Sequence, residues 1–108
     1  MPALPRLLLP GGRAAHRARV EIHAWRTCPF CIRARWLLRR RGVDFVEYRV
    51  GRDTPDRARM IERADGRTTV PQVFINGHGI GGCAELVALD RSGELASLLA
   101  TPADGPGR

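Results

Sequence analysis

The sequence is poor in cysteine, aromatics and long apolar runs, and it contains no lysine. Three cysteines in 108 residues are too few for a secreted disulfide scaffold, and an odd count suits a reducing compartment, so the cytoplasm is expected. Two Trp, one Tyr and three Phe are scattered rather than clustered with basic residues, which argues against a nucleic-acid surface despite a formal net charge of +7. All 18 basic residues are arginine, a uniformity that reads as codon usage rather than selection for the guanidinium fork. Four of these, Arg6, Arg13, Arg17 and Arg19, fall in residues 1–19 with no acid; the other 14 face 11 acids, a balance of +3. No segment approaches membrane-spanning length, and Leu7-Leu8-Leu9, closed by Pro10-Gly11-Gly12, is shorter than the apolar stretch of a secretory signal. Residues 1–19 are expected to form a disordered extension, 20–100 a single domain and 101–108 a frayed tail. The domain is expected to be a monomer, with neither nucleic acid nor membrane as a partner.

Against these shortages stands one tetrapeptide, Cys28-Pro29-Phe30-Cys31, between the apolar run Val20–Trp25 and a helix-patterned stretch to Arg41. A helix start has N–H groups without intrahelical partners and a partial positive charge, and both favour a thiolate at the first cysteine. Two thiols on one helical turn make a redox pair, with Cys28 as the expected nucleophile.

The surrounding pattern supplies the frame. After a first strand, Pro29 to Arg41 reads as a helix with Phe30, Ala34, Leu37 and Leu38 on one face, closed by Gly42. Val43–Val50 reads as a second strand, and Thr54-Pro55 opens a second helix that runs to about Ala64 and stops at Gly66. Gln72–Ile75, the turn Asn76-Gly77 and the stub Gly79-Ile80 read as a hairpin. Ala84–Leu89 and Glu94–Ala100 read as helix interrupted by Ser92-Gly93. The order β-α-β-α-β-β-α predicts an α/β domain with a small mixed four-stranded sheet flanked by helices.

Two further motifs follow the dithiol: Thr69-Val70-Pro71 and Ile80-Gly81-Gly82-Cys83. On the residues alone, Pro71 reads as an ordinary trans proline at a strand start. Gly81-Gly82 reads equally as a flexible turn or as a place of close backbone approach. Cys83 reads as a small packing or capping residue. His23 reads as packing or surface, because thiol exchange needs no general base once the thiolate exists. The three motifs in this order on these elements resemble the dithiol glutaredoxins, most of all the bacterial glutaredoxin-3 type, over about Val20 to Leu99.

The resemblance implies a thioredoxin fold and glutathione-dependent thiol–disulfide exchange on protein–glutathione mixed disulfides and protein disulfides. It implies that Pro71 is cis, that Val70 pairs with glutathione as a short added strand, and that the helix start at Gly82, Cys83 and Ala84 holds the γ-glutamyl carboxylate. The candidate glutathione site is then Arg26, Phe30, Thr69, Val70, Pro71, Gly82, Cys83, Ala84 and Glu85, with Cys28 and Cys31 catalytic and no metal. Two positions depart from the family. Trp25 stands where many members have lysine, leaving Arg26 beside it to receive the glycine carboxylate or to help hold the Cys28 thiolate. Ala84 and Glu85 stand where many members have aspartate, so Glu85 is the residue left to meet the glutathione ammonium. Three other readings stay open: zinc held by Cys28, Cys31, His78 and Cys83; a [2Fe–2S] cluster carrier; and a glutaredoxin-like protein reduced by thioredoxin reductase.

Overall fold

The computed structural model describes residues 16–51 and 54–103. The described residues form four strands and four helices in the order β1 (Val20–Ala24), α1 (Pro29–Arg40), β2 (Val46–Arg49), α2 (Pro55–Arg63), β3 (Gln72–Ile75), β4 (His78–Gly81), α3 (Cys83–Ser92) and α4 (Glu94–Ala100). The strands form one mixed sheet in the order β2-β1-β3-β4, with β1 parallel to β2 and antiparallel to β3, and β3 antiparallel to β4. This is the expected small α/β sheet, parallel where a helix crosses over and antiparallel where a hairpin turns. Among the described residues no helix is long and apolar enough to cross a membrane.

The two faces of β1 are used differently. Val20, Ile22 and Ala24 point into the main core with Val73 and Ile75 of β3, where they meet Cys31, Ala34, Leu37 and Leu38 of α1, Leu86 of α3, and Leu95 and Leu99 of α4. Glu21 and His23 alternate to the other face, and both are buried there. Arg63 of α2 reaches over that face, donating to Glu21 Oε1 at 2.9 Å and meeting His23 Nε2 at 3.0 Å, with its guanidinium 4.1 Å from the Phe74 ring centre. His23 also stacks on Tyr48, ring centres 4.8 Å apart, and the Tyr48 hydroxyl donates to Glu21 Oε2 at 3.0 Å.

Helix α1 ends as its glycine predicts. Gly42 has φ +74°, its N–H donates to Arg39 O at 2.9 Å, and Val43 N–H donates to Leu38 O at 3.0 Å. The pair satisfies two carbonyls of the last turn. Two expectations are corrected here. Phe30 is not on the core face of α1 but 63% exposed; Cys31, Ala34, Arg35, Leu37 and Leu38 are the buried positions. Strand β2 is shorter than Val43–Val50, because its register with the five-residue β1 starts at Glu21 opposite Val46 and Val43 is drawn under the end of α1.

Thr54 caps α2, its hydroxyl accepting from Arg57 N–H at 3.2 Å. Asn76 and Gly77, with φ +53° and +84°, make the β3–β4 turn. The Asn76 side chain accepts from Arg19 N–H at 2.8 Å and donates to Thr101 O at 3.0 Å. Of the segments expected to be disordered or frayed, residues 1–15 and 104–108 lie outside the described residues. Residues 16–19 and 101–103 lie within them and are hydrogen-bonded to the domain, Arg17 and Ala18 N–H both donating to Leu99 O.

Candidate active site

Strand β1 delivers the loop Trp25–Thr27, and that loop places Cys28 as the N-cap of α1 with φ −68° and ψ 129°. Pro29 takes the first helical position, where a missing N–H costs nothing, and Ile32 N–H donates to Cys28 O at 2.9 Å. No acidic residue lies in the first turn, so nothing in that turn neutralises the positive end of the helix dipole. Cys28 is half-buried and Cys31, one turn on, is fully buried.

Burial pushes the Cys31 thiol up to about 12, helped by a hydrogen bond to Cys28 and by the charge of Cys28, while a backbone hydrogen bond with Trp25 and the Arg35 guanidinium pull the other way. Cys31 therefore keeps its proton at neutral pH and offers it to the sulfur of Cys28. One accessible sulfur and one protonated reserve is a division suited to sequential attack and resolution in thiol–disulfide exchange.

Alongside lies an open groove of about 610 Å³, lined on one side by Phe30 and Arg33 of α1 and on the other by Thr69, Val70, Pro71, Cys83, Ala84 and Glu85, with Arg67 at its end. The Val70–Pro71 peptide bond is cis, the opposite of what the residues alone suggest and in line with the family resemblance. Val70 precedes β3 and stands outside its ladder. Gln72 Nε2 donates to Thr69 O at 2.9 Å and holds this segment.

The paired glycines are places of close approach. A Cβ on Gly82 would lie 3.0 Å from the Pro71 carbonyl oxygen, and Gly81, with φ +107°, would set one 2.7 Å from the Glu85 side chain. Glu85 turns back to accept the Gly82 N–H at 2.7 Å and pairs with Arg67 at 3.5 Å. These two contacts, the Gly82 N–H foremost, hold the Glu85 carboxyl below the usual carboxylate range. The Cys83 thiol at the start of α3 is raised by burial, opposed by the charge of Arg33.

The fold thus brings Phe30, Thr69, Val70, Pro71, Cys83, Ala84 and Glu85 to one groove, with Gly82 packed behind it. Arg26 is placed otherwise: its side chain is exposed outside the lining, and it is the Arg26 carbonyl that is engaged, by Arg35. Glu85 has its carboxylate committed to the helix cap and to Arg67. Arg33 and Arg67 line the groove although the motifs did not single them out. Arg33 follows Cys28 by five residues on α1 and Arg67 precedes Thr69 by two, but in a chain where every cation is arginine these two looked like the other 16. Among the described residues, no group of three or more His, Cys, Asp or Glu side chains is arranged to hold a metal ion.

A dithiol at a helix start, over a mixed sheet and beside a cis-proline groove, defines a thioredoxin-fold thiol protein. The glutaredoxin family model matches residues 20–80. Glutaredoxin 3 of Escherichia coli strain K12 is 50% identical over 82 residues, which cover 76% of this chain and 98% of that protein. The solution structure of a glutaredoxin from Brucella melitensis superposes with a TM-score of 0.69 at 42% identity, over 83% of this chain and 96% of that one. The crystal structure of a buckwheat glutaredoxin–glutathione complex gives a TM-score of 0.67 at 27% identity, over 76% of each chain. The chain belongs to the glutaredoxin family, whose members are thiol oxidoreductases.

Proposed function

We propose that this protein is a cytoplasmic, monomeric, glutathione-dependent thiol–disulfide oxidoreductase that reduces protein–glutathione mixed disulfides and some protein disulfides through Cys28 and Cys31. The observation that carries the reading is the asymmetry of the pair: Cys28 half-exposed at the start of α1, Cys31 buried behind it as a protonated thiol.

In the first route the Cys28 thiolate attacks the glutathionyl sulfur of a mixed disulfide. A Cys28–glutathione disulfide forms, the protein–glutathione bond breaks, and the protein thiolate leaves and takes a proton from water. A second glutathione thiolate then attacks the glutathionyl sulfur, freeing Cys28 and leaving oxidised glutathione with the electrons balanced. In the second route the Cys28 thiolate attacks a disulfide within a protein, joining one of its sulfurs, breaking the S–S bond and releasing the other sulfur as a thiolate that takes a proton from water. Cys31 then attacks the Cys28 sulfur of the mixed disulfide; its proton passes to the departing substrate thiolate, and a Cys28–Cys31 disulfide remains for two glutathiones to reduce. The first route needs only Cys28 and the second needs both cysteines.

Glutathione lies in the groove as an extended peptide, its backbone pairing with Val70 N–H and C=O. The N–H groups of Cys83 and Ala84 receive the γ-glutamyl carboxylate. Arg33 and Arg67 line that groove and supply cations for the tripeptide's carboxylates, the task that Trp25 leaves undone in place of lysine. The buckwheat relative, solved as a glutathione complex, supports glutathione as the ligand.

The test is NADPH oxidation coupled through glutathione reductase and glutathione, with a small mixed disulfide as substrate and thioredoxin reductase as a parallel donor. Turnover through glutathione is expected. Turnover through thioredoxin reductase alone would contradict the donor, and turnover through neither would contradict the activity.

A further inference from the structure

Arg35 is the one basic side chain that α1 turns inward. Its side chain is 11% exposed, at a position four residues after Cys31 where the core would accept an apolar residue. Three acceptors surround the guanidinium. Nη1 donates to Glu47 Oε2 at 2.9 Å and to Trp25 O at 3.3 Å, and Nη2 donates to Arg26 O at 2.9 Å. Glu47 belongs to β2, and its own side chain is 19% exposed. A buried cation is tolerated only when its donors are met. Here one carboxylate and two successive carbonyls accept three of its N–H groups.

The two carbonyls give the arrangement its meaning. Trp25 and Arg26 lie beyond the end of β1, in the short loop that has to deliver Cys28 to the start of α1. A planar guanidinium fork that takes both carbonyls fixes two consecutive peptide planes, and only one residue separates the second from Cys28. An ammonium at this place would keep the charge without the fork. Arg35 does not line the groove, so its contacts bear on how the nucleophile is held and not on how a peptide is bound.

We propose that Arg35 is a positioning residue for the exchange reaction: it clamps the Trp25 and Arg26 carbonyls so that the loop presents the Cys28 sulfur outward at the helix start, and Glu47 holds the clamp in place. The proposal rests on the reading of Cys28 as nucleophile and is independent of the electron donor.

The decisive variant replaces the whole pair, Arg35→Met with Glu47→Leu, because exchanging a buried ion pair for apolar residues is often neutral or stabilising, while the Trp25 and Arg26 carbonyls are released to water as the clamp is removed. Three quantities are measured on the full chain: thermal midpoint, the rate of Cys28 carbamidomethylation by iodoacetamide located by mass spectrometry, and kcat and KM with a small glutathione mixed disulfide. The double variant is expected to melt at or above the parent and to keep KM within about twofold, while kcat and the alkylation rate each fall about tenfold through misplacement of the nucleophile. Arg35→Lys is expected to leave both rates about threefold below the parent, since one ammonium reaches the carbonyls without clamping both. A folded double variant with parental kcat and alkylation rate would overturn the proposal. If the double variant does not fold, the decision falls to Arg35→Lys, where unchanged rates at an unchanged midpoint would overturn it and a loss of about threefold would support it. Alkylation uses no glutathione, so a parent that alkylates readily but turns over no glutathione substrate sinks the donor reading and leaves the role of Arg35 open to the same measurement.

Discussion

Arg35 and Arg63 lie on opposite faces of the same sheet, and each holds a carboxylate of a strand at 2.9 Å: Arg35 that of Glu47, Arg63 that of Glu21. Their remaining contacts separate them. Arg35 spends its other donors on the loop carbonyls before Cys28, whereas Arg63 spends its own on His23 and covers Phe74. One arginine ties a helix to the loop that carries the chemistry. The other fastens a helix over the back of the sheet. Loss of Arg35 is therefore expected to be felt in rate and loss of Arg63 in stability.

Substitutions on the two faces sharpen this contrast. The largest effect belongs to the active end: Cys28→Ser removes the nucleophile of both routes, and activity is expected to vanish in the coupled assay with the thermal midpoint unchanged. The reverse pattern is expected behind the sheet. Phe74, 1% exposed, is cut to a cavity by Phe74→Ala, at a cost of about 3–5 kcal/mol. Denaturant titration reads this loss, while kcat of the remaining folded fraction stays at the parental value. Arg63→Met leaves Glu21 short of its main partner. The expected cost is about 2 kcal/mol, less than for a fully buried pair because the Arg63 side chain is 32% exposed. A loss of kcat in either variant without unfolding would break the contrast.

The pH dependence of stability separates the faces once more, by sign. The Cys31 thiol is raised in the folded state from an ordinary 9.0 to about 12, so the folded chain keeps a proton that the unfolded chain sheds. The stability this contributes is complete below pH about 9 and is lost as the pH climbs toward about 12; Cys31→Ala should flatten that alkaline limb in denaturant titrations. His23 runs the other way. Burial first, and then Arg63, lower its pKa from 6.5, so its contribution is present above pH 6.5 and declines as the pH falls below it. His23→Phe, which retains a ring against Tyr48 and Phe74, should flatten this acid limb, the smallest of the expected effects.

Much of this was legible in the chain. Pro29 and Gly42 marked both ends of α1, Thr54-Pro55 marked the start of α2, and Asn76-Gly77 marked the hairpin, because each uses a local preference that needs no tertiary partner. The dithiol and the segments Thr69–Pro71 and Gly81–Cys83 were legible as motifs, and the fold gathers the latter two beside Phe30. What local pattern could not supply was direction. Phe30 satisfied the helical period of the core yet points outward, since Cys31 one position later is the residue that turns in. Arg26 and Arg35 exchanged their expected prominence for the same reason: exposure placed one outside the groove, and burial turned the other onto three acceptors. Glu85 looked available for a ligand until the Gly82 N–H and Arg67 claimed its carboxylate.

Labour is divided, on this reading, between an accessible Cys28 and a protonated, buried Cys31. The most direct test is the activity of Cys31→Ser on two substrates, a glutathionylated protein and a protein with an internal disulfide, in the same coupled assay. Deglutathionylation is expected to persist while reduction of the internal disulfide is lost. Loss of both, or retention of both, would contradict that division.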